Sequence, residues 1–190
     1  MLFAVTVVTS FAATTHTVER GDSLWKIAVR YQVGLSEIKA ANPTIKNYDL
    51  IYPGQKINIP TVSASVAAFE GEVVRLVNQI RKENGLKALT QDWQLSRVAR
   101  YKSKDMRDLG YFSHTSPTYG SPFDMMKSFG ISYKSAGENI AKGYSTPEAV
   151  VNAWMNSPGH RANILNSTYT HIGVGYVADG NYWTQMFVGK

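Results

Sequence analysis

Three of the four histidines in this chain, His114, His160 and His171, fall in its C-terminal half, each beside small or polar residues. They stand in Phe112-Ser113-His114-Thr115, Pro158-Gly159-His160-Arg161 and Thr170-His171-Ile172-Gly173, and a carboxylate, Glu138, stands in Gly137-Glu138-Asn139-Ile140. Glycine and apolar neighbours predict that Glu138 is partly buried. A buried carboxylate needs a partner, and an imidazole is a suitable one. Two histidines and a carboxylate suffice to ligate a metal ion or to move protons. Their spacing matches no short zinc motif such as H-E-x-x-H, so the residues alone favour a structural hydrogen-bonded cluster over a functional site. Cysteine is absent, which excludes thiolate catalysis, disulfides and Cys-based metal sites. No serine lies in a nucleophile motif such as G-x-S-x-G, and Ser113 and Ser157 read as turn or cap residues.

The elements that must carry these residues divide into two modules. With 190 residues and 44% hydrophobic composition, the chain is long enough for one domain or two small ones and too apolar to be disordered. Residues 1–13, MLFAVTVVTSFAA, read as a signal-peptide-like segment that is too short to span a bilayer. Residues 61–68 are small and uncharged and read as a linker. Between these segments, residues 16–60 predict strand, helix, helix, strand, with Ser23 and Ser36 as helix caps and Pro53-Gly54 as a turn. From 69 to 190, Phe69, Val73, Leu76, Val77 and Ile80 share a helical face, and Thr90 is expected to cap a second helix. Short helices should start at Pro122 and Pro147, and His171–Val177 and Tyr182–Val188 should form a hairpin. The fold class is therefore α+β. The net charge of +6 favours anionic surfaces. Arg97, Arg100, Lys102, Lys104 and Arg107 are interrupted by Asp105 and Asp108 and read as a solvated helix face, so no nucleic-acid partner is expected.

The stretch HTVERGDSLWKIAVRYQVGLSEIKAANPTI, followed by LIYPGQKINIP, resembles the LysM domain over its full length. The resemblance implies a small βααβ fold that binds glycans containing N-acetylglucosamine, either peptidoglycan or a chitin-like polymer. By position, Gly21, Asp22, Ser23 and Leu24 would face Thr44, Ile45 and Ile51 across the groove. Loop amides and a hydroxyl can bond an acetamido group while an apolar side chain packs on its methyl. Asp22 and Ser23 also suit helix capping. Trp25, beside Leu24 at a helical position, is expected to be packed rather than to stack on sugar.

Residues 69–190 resemble the CAP superfamily of cysteine-rich secretory, antigen-five and pathogenesis-related proteins, in its bacterial YkwD-type branch. The matching blocks are FSHTSP, GENIA, AWMNSPGHRANIL, HIGVGY and YWTQMF. The resemblance implies an α-β-α sandwich with a cleft lined by His114, Glu138 and His160, and His171 is an additional candidate. Because neutral imidazoles are good zinc ligands, a divalent metal, zinc first, is the expected cofactor of that cleft, with a small apolar ligand or a partner as the alternative occupant. Where the family carries a second glutamate, three positions after Trp154, this chain has Ser157. Two roles remain open: a non-enzymatic wall-binding module, which is preferred, and a hydrolase of peptide or glycan using the His/Glu cleft. The pairing of modules implies a secreted, cell-wall location, with the spore coat or cortex and a spore-envelope or wall protein partner as the finer expectation. No transmembrane segment is expected.

Overall fold

The computed structural model describes residues 12–190. The signal-like segment lies outside them, except for Ala12 and Ala13, which belong to the first strand. The chain divides into two compact units between Ala64 and Ser65. No helix of the described residues is long and apolar enough to cross a membrane.

In the N-terminal unit, β1 (Ala12–Thr17) pairs antiparallel with β2 (Lys56–Thr61), His16 lying opposite Ile57. Between them run α1 (Leu24–Arg30) and α2 (Leu35–Ala41). Leu24, Ile27, Ile38, Ile57 and Ile59 are buried and make the core, as their helical and alternating spacings predict. Ser23 caps α1, its Oγ accepting from the Lys26 amide at 3.2 Å. Ser36 does not cap α2: the cap is Gly34, without a side-chain bond, and Ser36 lies inside the helix. The end of α2 is instead tied down by Asn42. Its Oδ1 accepts from the Asn58 amide, and its Nδ2 donates to the carbonyls of Asn58 and Ile38.

The expected linker is mostly structured. Thr61 closes β2, and α3 (Ala64–Glu83) already includes residues 64–68, because small residues such as Ala64, Ala67 and Ala68 favour helix once an apolar face can pack. The C-terminal unit continues with β3 (Thr90–Gln91), α4 (Trp93–Asp108), α5 (Pro122–Ser128), β4 (Ser135–Lys142), α6 (Pro147–Met155), α7 (Pro158–Ile164), β5 (His171–Val177) and β6 (Tyr182–Gly189). Thr90 lies in β3 and Asp92 caps α4, its carboxylate accepting from the Leu95 amide. The sheet order is β3-β5-β6-β4, antiparallel except for β3 beside β5.

This sheet is covered on both faces, giving the α-β-α sandwich. On one face Gly173 and Gly175 bring the backbone of β5 against α4: a Cβ at either position would overlap backbone atoms of Leu95–Ser96 or Ala99–Arg100. Leu95, Val98, Met125, Met186 and Val188 fill the same layer. On the other face Val73, Val77, Val150, Trp154 and Ile164 pack on Ile172, Val174, Trp183 and Phe187. The strand β4 is an edge strand, and consecutive residues on it point to opposite layers.

Candidate functional site

Glu138 and Asn139 lie side by side on β4 and serve the two faces of the sheet. Glu138 is in register with Met186, on the α4 side. Its side chain is only 1% exposed, and its Oε1 bonds His114 Nδ1 at 2.7 Å. Its other oxygen, Oε2, is buried without a hydrogen-bond partner. Burial pushes the Glu138 carboxyl above its ordinary value, while His114 and the charge of Lys102 pull it down. His114 itself is half open, its side chain 52% exposed. Nδ1 is engaged by the carboxylate, so Nε2 is the ring nitrogen left for another partner.

His114 sits in an irregular loop, and side chains of α4 hold that loop in place. Lys102 is fully buried and donates to the His114 carbonyl at 2.8 Å and to the Tyr111 hydroxyl at 3.3 Å. One turn on, Asp105 accepts from Tyr111 Oη, Ser116 Oγ and Thr118 Oγ1, all within 2.7 Å. Burial lowers the Lys102 pKa, opposed by Glu138 and Asp105. These contacts correct the reading of the α4 basic run as a solvated face. Lys102 lies inside, and Arg100 forks onto the buried Glu70, which also accepts from the Tyr176 amide.

On the opposite face, Asn139 Nδ2 donates to the His160 carbonyl at 3.1 Å and to Gln185 Oε1 at 2.9 Å. Asn163 Nδ2 donates to Asn139 Oδ1 and to the Glu138 carbonyl, so α7 is pinned to β4 through amides. The His160 ring is half-buried, and its pKa is lowered first by burial and then by the positive charge of His114. His114, Glu138 and His160 thus share one end of the unit. His171 does not join them. It opens β5, two strands away from β4 in the sheet order, where its Nδ1 bonds Thr170 Oγ1 at 2.7 Å. Ser157 is the cap residue of α7 and makes no side-chain cap bond. A zinc ion needs three or more converging ligands, and among the described residues no such group of His, Asp or Glu is assembled. The donor set present is a hydrogen-bonded pair with one neighbouring imidazole.

The N-terminal unit has a groove of about 200 Å³ lined by Asp22, Ser23, Leu24, Trp25, Leu35, Lys39, Tyr48, Asp49 and Ile51. Four of the seven expected residues, Asp22, Ser23, Leu24 and Ile51, line it, while Gly21, Thr44 and Ile45 do not. Ile45 packs partly into the core, and Thr44 is exposed elsewhere. Gly21, at φ 91°, makes the turn that aims the lining residues. Asp22 turns its carboxylate inward: Oδ2 bonds His16 Nε2 at 2.8 Å and the Glu19 amide at 2.9 Å, and Oδ1 meets Arg30. The amide and His16 bonds hold its carboxyl below the usual range. Trp25 is not packed. It is 64% exposed and lines the groove, because α1 buries Leu24, Ile27 and Ala28 and leaves position 25 outside that face.

The model of the cysteine-rich secretory protein family matches residues 74–189, and that of the LysM domain matches residues 16–60. The chain belongs to the cysteine-rich secretory protein family. Its CAP module follows a LysM module. The protein YkwD of Bacillus subtilis (strain 168) is 64% identical over 137 residues, covering 72% of this chain and 53% of the relative. An extracellular SCP-domain protein of Bacillus anthracis has a crystal structure that superposes with TM-score 0.64 and 36% identity, covering 73% of this chain and 47% of that one. The spore coat assembly protein ExsA of Bacillus cereus is 48% identical over 48 residues, covering 25% of this chain and 8% of the relative. The chain spans about half the length of YkwD.

Proposed function

We propose that this is a cell-wall-associated protein whose LysM module holds a glycan containing N-acetylglucosamine and so keeps the CAP cleft at the wall. The groove at the start of α1 carries this reading. An exposed indole and the Tyr48 ring offer faces for sugar C–H groups, and Ser23 and the loop amides offer polar partners for an acetamido group. A shallow groove of this size gives weak binding, about 10⁻⁴ M for one module. Titration of the full chain with chitotetraose tests it: saturating NMR shifts at Ser23, Trp25 and Tyr48 are expected, and absence of any shift overturns it. The likeness to ExsA supports a spore-envelope location, which fluorescence of a tagged chain in sporulating cells checks.

A second reading, a wall hydrolase, is favoured by one observation. The His114–Glu138 pair orients a half-exposed imidazole through Nδ1 and leaves Nε2 for a substrate, the arrangement a general base needs. Incubation with purified sacculi separates the two. New reducing ends or amino groups that disappear in His114→Ala support hydrolysis, and pelleting without release supports binding alone.

A further inference from the structure

Lys39 and Tyr48 form a fixed wall of the LysM groove. The Tyr48 hydroxyl donates to the Lys39 carbonyl at 3.1 Å and lies 3.3 Å from the Asn42 carbonyl, so the ring is tied to the last turn of α2. The Lys39 ammonium stands over that ring, 5.3 Å from its centre. Both residues line the groove, and Lys39 makes no ion pair among the described residues. Two carboxylates share the lining. Asp22 is spent inward on His16, the Glu19 amide and Arg30. Asp49 is exposed, so water and salt screen it. Lys39 is half-buried as a residue and its ammonium already stands over Tyr48, so a ligand pays little entropy to meet it.

We infer that the groove prefers a carboxylate-bearing aminosugar glycan over a neutral one of equal length, with Lys39 as the residue that reads the acid. The inference rests on the glycan reading above and adds the charge of the substrate to it. A lactyl-type carboxylate on alternate sugars supplies such a group, whereas a chitin-like chain has none.

The test titrates the full chain with chitotetraose, with a tetrasaccharide alternating N-acetylglucosamine and N-acetylmuramic acid, and with the carboxamide form of that second sugar. At low salt the acid is expected to bind about three- to tenfold more tightly than either neutral sugar, and the advantage should vanish near 0.5 M salt. Lys39→Gln should remove the advantage by weakening the acid far more than it weakens chitotetraose, and Lys39→Arg should keep it. Asp49→Asn should widen the gap. Equal affinity for acid and carboxamide overturns the inference, and so does a preference that survives Lys39→Gln. If the wild type binds none of the three sugars, the glycan reading itself falls and takes this inference with it.

Discussion

The two modules build their candidate sites in opposite ways. In the LysM groove the interacting surface is open, its most prominent side chain, Trp25, is 64% exposed, and the one buried acid, Asp22, serves the loop rather than the ligand. In the CAP module the chemistry lies inside. Glu138 and Lys102 are buried, and His114 is held by bonds that run through its own loop into α4. In the first, function can be removed without disturbing the fold. In the second, site and stability share the same atoms.

Glycine substitutions should expose this difference most strongly. Gly175→Ala would drive a methyl group into the backbone of Ala99 and Arg100, and a loss of about 3 kcal/mol is expected in calorimetric melting of the C-terminal unit. Gly21→Ala meets no atom within 4 Å and suffers only from its φ of 91°, so about 1–2 kcal/mol is expected in the LysM unit. Equal losses would break the comparison.

Side-chain removal at the sites comes next. His114→Ala leaves both oxygens of a buried carboxylate unpaired, and about 2 kcal/mol of stability should be lost in denaturant titration. Trp25→Ala should change stability by less than about 0.5 kcal/mol, because the indole is mostly in solvent. It should weaken chitotetraose binding about tenfold, the effect of one lost stacking face at roughly 1.4 kcal/mol. A melting temperature that falls in Trp25→Ala as far as in His114→Ala would contradict the open-groove description.

The smallest effects are in pH. The His160 pKa is depressed, so the unfolded chain takes the proton first, and this group costs stability as pH falls below about 6.5. Glu138 has the opposite sign. Its raised pKa favours the folded state in acid, and that contribution is lost as pH climbs above about 4.5. The lowered pKa of Asp22 gives the LysM unit stability that is lost only as pH falls through and below about 3.8. NMR titration should therefore place the His160 midpoint below 6.5, with His114→Ala moving it up by part of the difference. A midpoint at or above 6.5 would show that the ring is not desolvated.

Much of this was legible in the residues. The apolar spacings of α1, α3 and α4 and the Ser121-Pro122 and Thr146-Pro147 starts follow from local rules, and the capping box at Ser121 and Asp124 is present. The likeness of the blocks around His114, Glu138 and His160 pointed to residues that do gather at one end of the sandwich. His171 failed because a β-strand start reveals neither its neighbours nor its place in the sheet order. β4 escaped notice because Ser135-Ala136-Gly137-Glu138-Asn139 has poor strand composition and is made a strand by pairing with β6. Lys102 was misread although its position gave a signal. It lies three residues after Ala99 and four before Met106, on the buried face of α4, and a lysine there must be buried or must break the pattern. Trp25 was misjudged by residue type against position: large aromatics are usually packed, but the helix had already spent its inner face on Leu24 and Ile27.

The glycine contact between β5 and α4 has a mechanical consequence. With no side chain between helix and sheet at Gly173 and Gly175, α4 has no slack in which to slide or tilt. The same helix carries Lys102 and Asp105, from which the loop bearing His114 hangs. The histidine is therefore an outrigger of the helix. Its distance from Glu138 is set by how closely the two backbones meet where α4 lies on β5, so a change of one methyl group there would be felt as a displacement at the imidazole.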